Sequence, residues 1–136
     1  MDAELEGIAR DAVDSAYLIY RELGPGLLET VYEVLLAREL ERRGHRVRRQ
    51  VAVPIVFQGL RFDEGFRADL IVDERLLIEL KSVEEFAPVH GKQVLTYLRL
   101  LNFRLGLLIN FGAALFKKGV KRVANQLYDQ ILIQRH

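Results

Sequence analysis

The chain contains no cysteine, and its three histidines, His45, His90 and His136, are widely separated. Disulfide bonds and thiolate zinc sites are therefore excluded, because both require cysteine sulfur and the histidines are too scattered to replace it. A reducing compartment suits such a chain best. We therefore expect a cytoplasmic location.

No hydrophobic run is long enough to cross a bilayer. The longest run, around Leu105 to Phe116, is interrupted by Asn110, whereas a transmembrane helix needs about 20 apolar residues. The chain begins MDAELEGIAR, which is acidic and polar where a signal peptide is basic and then apolar. We expect neither membrane insertion nor secretion.

The chain also lacks an excess of positive or negative residues, since its formal net charge is only +1. No global field therefore indicates a polyanionic partner. Basic residues do form two local runs, one of Arg42, Arg43, Arg46, Arg48 and Arg49, and one of Lys117, Lys118, Lys121 and Arg122. Such runs can bind phosphates, but either one alone is more typical of a solvated face.

The chain is long enough for one core. It has 136 residues, 50% of them hydrophobic, so we expect a single domain over residues 1–136 without disulfides or a structural metal. Apolar residues spaced by three and four predict helices from Glu4 to Leu23, from about Leu27 to Arg43 and from Pro88 to Asn102. The predicted apolar side of the second helix carries Leu28, Val31, Tyr32, Leu35 and Leu36.

Strands are predicted where apolar and polar residues alternate. The first runs from Val47 to Phe57 and ends at a turn at Gln58-Gly59. Two more, from Arg67 to Val72 and from Leu76 to Lys81, are joined by the short polar loop Asp73-Glu74-Arg75, so we expect them to pair as an antiparallel hairpin.

The C-terminal third predicts a further strand. Leu105 to Ile109 is apolar on both faces, as expected for a central strand covered by helices. Because a helix precedes it, this strand should lie parallel to the Leu76 to Lys81 strand. Beyond it the signal is weaker: Gly119 to Val123 reads as an edge strand or a turn, and Ala124 to Ile133 as a closing helix.

The hairpin brings two acids together. If its loop is centred on Glu74, Asp69 lies directly across from Glu79, so both carboxylates project from one face. Lys81 and Arg67 share that face. The opposite face is apolar, with Ala68, Leu70, Val72, Leu76, Ile78 and Leu80.

Like charges opposite each other on a sheet are unfavourable unless a cation lies between them. Mg²⁺ or Mn²⁺ suits this position, because hard divalent ions prefer carboxylate and carbonyl oxygens. Lys81 would then lie beside a metal-bound water, where it could orient the water and stabilise charge on a phosphate. The alternative, a plain ion pair of Lys81 with Asp69 or Glu79, is the more frequent explanation of this spacing alone.

Two helices could add to this site. Glu29, near the start of the second helix, could present a third carboxylate, although such a residue more often only compensates the helix dipole. His90, Gln93 and Tyr97 form one polar stripe on the third helix. A polar stripe usually marks helix surface, but this helix follows the Glu79 strand directly and could line the same cleft.

Several motifs occur together in this chain. The segment Gly26 to Tyr32, GLLETVY, reads as GxxExxY, and it is followed in order by GFRADLIVDERLLIELKS, QVLTYLRLLNFRLGLLINFG and GVKRVAN. In these motifs the chain resembles the GxxExxY proteins, small prokaryotic members of the PD-(D/E)XK nuclease superfamily. The resemblance runs from the first helix to Asn125.

This resemblance implies an α/β fold with a restriction-endonuclease-like αβββαβ core, a mixed sheet flanked by helices. It implies Mg²⁺-dependent hydrolysis of nucleic-acid phosphodiesters. Asp69 corresponds to the Asp of the name-giving motif, Glu79 and Lys81 to its ExK pair, and Glu29 to the acid of the leading helix. Ala68 stands where that motif has Pro.

The resemblance also matches Gln93 and Tyr97 to the QxxxY motif of exonuclease-type members. The favoured hypothesis is thus a metal-dependent nuclease acting on nucleic acid, with DNA preferred. Asp69, Glu79 and Glu29 would bind the metal, and Arg67 and His90 would contact the substrate.

The alternative is a catalytically silent module that binds nucleic acid or a partner on the same scaffold. A third alternative is an assembly component whose site is completed by another chain. A homodimer would fit this alternative, because so small a nuclease has little surface for gripping a duplex.

Overall fold

A computed structural model describes residues 2–126. Three α-helices, five strands and one 3₁₀ turn follow in the order α1 (Ala3–Leu23), α2 (Glu29–Arg42), β1 (Val47–Phe57), β2 (Leu60–Val72), β3 (Leu76–Lys81), α3 (Pro88–Leu101), β4 (Leu105–Asn110), the turn (Phe116–Gly119) and β5 (Val120–Ala124). Asp2 caps α1 by accepting a hydrogen bond from the Leu5 N–H, which satisfies one of the free donors of the first helical turn.

The five strands form one mixed sheet in the order β1-β2-β3-β4-β5. β3 and β4 are parallel, and the other neighbouring pairs are antiparallel. The predicted hairpin and the predicted parallel strand are therefore confirmed. In the part of the chain that the structure describes, no helix is long and apolar enough to cross a membrane.

Helices cover both faces of the sheet and create two apolar layers. Residues of α1 and α2 pack with Leu70, Val72, Leu76 and Ile78. Residues of α3 pack with the side chains that point the other way, including Leu77. The central strands β3 and β4 are consequently buried on both faces, which explains their continuous apolar sequences.

The second helix differs from its prediction. It begins at Glu29 rather than Leu27, and Leu28 and Val31 are 76% and 40% exposed, so their assignment to the packing side was wrong. Tyr32 and Leu36, which were predicted on the same side, are buried as expected. These two residues lie four apart, and four-residue steps keep side chains on one helix face.

Strand β2 begins at Leu60, earlier than predicted. Gln58 and Gly59 both have left-handed backbones, with φ of 50° and 80°, which two-residue hairpin turns require. The predicted turn is therefore confirmed, and it pairs Phe57 with Leu60. The hairpin of β1 and β2 is consequently long.

Ala68 lies on a different side from the one predicted. It packs in the α3-side layer with Phe66 and Ile71, whereas Leu70 packs on the α1 and α2 side. Alternation fails in β2 between Ala68 and Leu70, opposite Gln50, the β1 residue that lies between the pairs Arg49–Leu70 and Val51–Ala68 and has a φ of 50°. A left-handed residue inside a strand interrupts the regular pleat.

The last elements agree in part with the sequence analysis. The edge strand predicted near Gly119 to Val123 is present as β5. The closing helix was predicted to begin at Ala124, which is instead the last residue of β5. The rest of that prediction, from residue 127 to 133, lies outside the described residues.

His45 ties α1 to the loop between β2 and β3. Its Nε2 lies 2.7 Å from the Asp11 carboxylate and its Nδ1 lies 2.6 Å from the Asp73 carboxylate. Burial disfavours the charged imidazole, but the two carboxylates outweigh burial and raise the pKa of His45 above its ordinary 6.5. The charged form therefore stabilises the fold.

The contacts of His45 with Asp11 and Asp73 predict that the stability of the protein depends on pH. The contribution of His45 is fully present below its unfolded pKa and is lost as the pH rises through the raised folded pKa. We expect the unfolding free energy of the parent to fall between about pH 6 and pH 9 by roughly 1 kcal/mol more than that of His45→Gln. Urea unfolding of both proteins measures the difference, and other titrating groups act equally in both. Equal pH slopes would contradict the prediction.

Candidate active site

The strands β2 and β3 separate at the two acids. Their backbone pairing ends at Leu70 and Ile78. One step further, the Asp69 N–H donates to Glu79 Oε2 at 2.9 Å, and the Leu80 N–H donates to Asp69 Oδ2 at 2.8 Å. The carboxylates thus connect the strands where the backbone ladder has ended. The predicted register holds, and Asp69 and Glu79 are neighbours as it requires.

Burial makes this acidic pair unfavourable when no cation is near. Glu79 is 8% exposed, and its burial and the neighbouring charge of Asp69 raise the pKa of Glu79 to about 9, against the opposing effect of Lys81. Burial, followed by the charges of Glu79 and Asp69, also raises the pKa of Tyr97. At neutral pH Glu79 therefore keeps its proton when no cation is near, and a bound cation would favour the ionised carboxylate in its place.

All eight side chains assigned to the site from the sequence line a single cleft of about 170 Å³, namely Glu29, Arg67, Asp69, Glu79, Lys81, His90, Gln93 and Tyr97. Leu80, Val94 and Leu108 complete its walls. Residues from β2, β3, α2 and α3 thus converge on one place. The roles of these residues stay predictions.

Lys81 is the last residue of β3 and lies two positions after Glu79. Within residues 2–126 it forms no ion pair shorter than 4.0 Å with either acid, so the simple salt bridge considered from the sequence is not formed. Its charge nevertheless lowers the pKa of Glu79. The ammonium is therefore close enough to act on the site and remains available to a substrate.

Glu29 lines the cleft from the first position of α2. The expected three-carboxylate centre is not assembled, because in the described residues no group of three His, Asp or Glu side chains is close enough to hold a metal ion. Asp69 and Glu79 lie within the sheet, whereas Glu29 is exposed at the helix start. It therefore belongs to the rim of the site.

The GxxExxY segment has a structural basis. Gly26 has a φ of 106°, a backbone conformation that favours glycine. The Tyr32 hydroxyl donates to the Gly24 carbonyl at 2.6 Å and accepts from the Leu27 N–H at 3.1 Å. Its ring stacks on Phe111 with centroids 4.2 Å apart. Glycine and tyrosine thus fold the loop that sets the start of α2, where Glu29 lies.

The polar stripe of α3 is held by contacts that the sequence did not predict. His90 Nδ1 accepts from the Ala87 N–H at 3.1 Å, so only Nε2 is left for a substrate. The ring of Tyr97 stacks on Phe66, with centroids 3.9 Å apart and planes 2° from parallel. Phe66 therefore fixes the Tyr97 ring, and no sequence spacing relates the two residues.

Arg67 lines the cleft but already has a partner. Its Nε and Nη2 donate to the two carboxylate oxygens of Glu64 at 2.6 and 3.0 Å. Both side chains are about half exposed, at 50% and 45%. An exposed pair of this kind contributes little stability, so a phosphate could share Arg67 at small cost.

The first basic run is largely paired with acids. Arg48 forms a bidentate pair with Glu74, and Arg49 pairs with the buried Glu33. Arg42 and Arg43 pair with Glu39, and Arg122 of the second run pairs with Glu6. These pairs favour the interpretation of the first run as a solvated face.

Asn110 holds the segment between Lys81 and α3. It is 1% exposed; its Oδ1 accepts from the Val83 and Gly112 N–H groups, and its Nδ2 donates to the Val83 carbonyl. From the sequence, Asn110 is only an interruption of an apolar run. A buried amide whose oxygen and nitrogen are both hydrogen-bonded fixes a loop conformation, and here that loop connects two walls of the cleft.

Comparison with known proteins agrees with this geometry. A family model described as the PD-(D/E)XK nuclease superfamily matches residues 6–123, a range that includes every residue of the cleft. No curated protein matches the chain, and no solved structure does. The description of the matched model names the superfamily and no narrower family. Members of the superfamily are generally nucleases that use divalent metal ions. The mixed sheet flanked by helices agrees with the predicted restriction-endonuclease-like fold, and the chain belongs to the PD-(D/E)XK nuclease superfamily.

Proposed function

We propose that this protein is a metal-dependent nuclease that hydrolyses phosphodiester bonds of nucleic acid, with DNA as the preferred substrate. The observation that carries the proposal is the junction of β2 and β3, where Asp69 and Glu79 are joined through backbone donors and Lys81 lines the same cleft. Paired acids followed by an amine are the groups that metal-assisted hydrolysis requires.

The donor set suits Mg²⁺ or Mn²⁺. Two carboxylates are hard oxygen ligands, and Mg²⁺ is commonly held by one or two carboxylates together with substrate phosphate. Asp69 and Glu79 would hold the ion, and Glu29 would support it from the rim. A bound divalent ion supplies Lewis-acid stabilisation of the phosphate and a more acidic water.

The remaining side chains would act on substrate and water. Lys81 would orient the attacking water and stabilise charge that develops on the phosphate. Gln93 and Tyr97 would orient Lys81 or the substrate. Arg67 and His90 Nε2 would donate to phosphate oxygens.

Two narrower proposals follow from the same site. The GxxExxY segment supports assignment to the GxxExxY family, because each of its three fixed residues has a structural or site role. Gly26 and Tyr32 shape the loop before α2, and Glu29 lines the cleft. The small size of the chain, 136 residues, supports a homodimer that grips a duplex from two sides. Light scattering with and without DNA tests the dimer.

The test of the proposed function is cleavage itself. Purified protein is incubated with single- and double-stranded DNA and RNA, with Mg²⁺, with Mn²⁺, or with excess chelator. We expect products from DNA with either ion and none with chelator. Binding that weakens with salt but yields no product under any condition would instead support the silent binding module.

A further inference from the structure

Gln50 connects the site to the buried side of α2. Its Nε2 donates to Glu33 Oε1 at 2.5 Å and lies 3.3 Å from Asp69 Oδ1, also as a donor. Asp69 Oδ2 accepts from the Leu80 N–H. Each oxygen of the Asp69 carboxylate therefore has a separate donor, one from β3 and one from β1.

Glu33 is a firm anchor for that amide. It is 4% exposed, and its other oxygen accepts from Arg49 Nε and Nη2 at 3.1 and 2.9 Å. A buried carboxylate with charged donors is held strongly. A chain of contacts therefore runs from Arg49 through Glu33 and Gln50 to Asp69.

The backbone of Gln50 is strained. Its φ of 50° lies in the left-handed region, which costs a residue other than glycine about 1 kcal/mol or more. Gln58 has the same φ, but a hairpin turn demands it there. Gln50 lies inside β1, where the turn explanation does not apply, and its side chain points to the site.

We propose that Gln50 is a positioning residue that sets the orientation of the Asp69 carboxylate, with Glu33 as its anchor; this inference rests on the proposed function, in which Asp69 binds the metal. A neutral amide suits this task. It donates a hydrogen bond without cancelling the negative charge that attracts a cation, whereas Arg or Lys in its place would compete with the metal.

Gln50→Met tests the proposal, with Gln58→Met as its matched control. Both variants remove an amide, keep the side-chain length and retain a left-handed backbone, but only the first touches Asp69. We expect Gln50→Met to weaken Mn²⁺ binding roughly tenfold and to lower kcat by a similar factor, with the KM for nucleic acid nearly unchanged. Gln58→Met should match the parent in all three quantities.

Mn²⁺ binding is followed by electron paramagnetic resonance of the free ion, without nucleic acid. Urea unfolding of both variants shows whether Gln50→Met is folded. Glu33→Gln, alone and combined with Gln50→Met, completes a double-mutant cycle. Because the two residues act through one chain of contacts, their effects on Mn²⁺ affinity should be less than additive.

The outcomes separate this inference from the proposed function. A parent that cleaves DNA and a Gln50→Met variant with the parent's Mn²⁺ affinity and kcat would overturn the positioning role and leave the nuclease standing. A parent that binds Mn²⁺ tightly, loses that binding in Gln50→Met and cleaves nothing would overturn the nuclease and leave the positioning role. A parent that does not bind Mn²⁺ would overturn both.

Discussion

Replacing Lys81 with methionine is expected to lower kcat for DNA cleavage by about 10²- to 10³-fold, because it removes a positive donor from the place where charge develops on the phosphate. Methionine keeps most of the length and apolar volume of the lysine stem. Lys81 pairs with neither acid within the described residues, so the fold should not change. The measurement is single-turnover cleavage with saturating Mg²⁺.

Two comparison variants make this result specific. Lys92→Met removes a lysine from the exposed surface of α3, outside the cleft, and should cleave like the parent. Asp69→Asn should lose cleavage together with Mn²⁺ binding, whereas Lys81→Met should bind Mn²⁺ like the parent. If Lys81→Met cleaves as well as the parent, the assignment of Lys81 to the chemistry fails.

Gly112→Ala should destabilise the protein by about 1–3 kcal/mol or more. A Cβ at this position would lie 2.6 Å from the Val83 backbone nitrogen and 2.8 Å from its carbonyl carbon. Those atoms belong to backbone that Asn110 holds on both sides, so they cannot move away cheaply. The displaced segment leads from Lys81 to α3, and we expect cleavage to fall as well.

The control is the same change at Gly7 in α1, where a Cβ would meet nothing within 4 Å. Alanine favours a helix over glycine by roughly 0.5–1 kcal/mol, so Gly7→Ala should stabilise the protein. Urea unfolding of both variants at one pH shows whether the free energy of unfolding falls in Gly112→Ala and rises in Gly7→Ala. A Gly112→Ala protein as stable as the parent would mean that the loop around Val83 has more freedom than its contacts indicate.

Most of the fold could be predicted from residue patterns because periodicity reports burial directly. The alternation of β1, the apolar β4 and the loop around Glu74 predicted the strands and their pairing. The register of the β2 and β3 hairpin then brought Asp69 and Glu79 together. A hairpin with a short loop leaves few alternatives, and so a local signal predicted a contact within the site.

Other features depend on long-range contacts that no local pattern reports. The face of Ala68 was wrongly assigned because alternation assumes an uninterrupted pleat, whereas the pleat of β2 is interrupted between Ala68 and Leu70. The stacking of Phe66 on Tyr97 joins residues from distant elements. The rim position of Glu29 depends on where the loop before α2 ends, which Tyr32 decides through hydrogen bonds.

In the proposed function, the carboxylates of Asp69 and Glu79 have a structural role as well as a metal-binding one, since they also accept the N–H groups of Leu80 and Asp69. Alanine at either position would remove a backbone acceptor as well as the proposed metal ligand, and a loss of cleavage could not be distinguished from loosening of the strands. Asparagine at 69 and glutamine at 79 still offer an oxygen to the backbone. In a homologue that has lost hydrolysis but kept the fold, we would therefore expect asparagine at position 69 and glutamine at position 79.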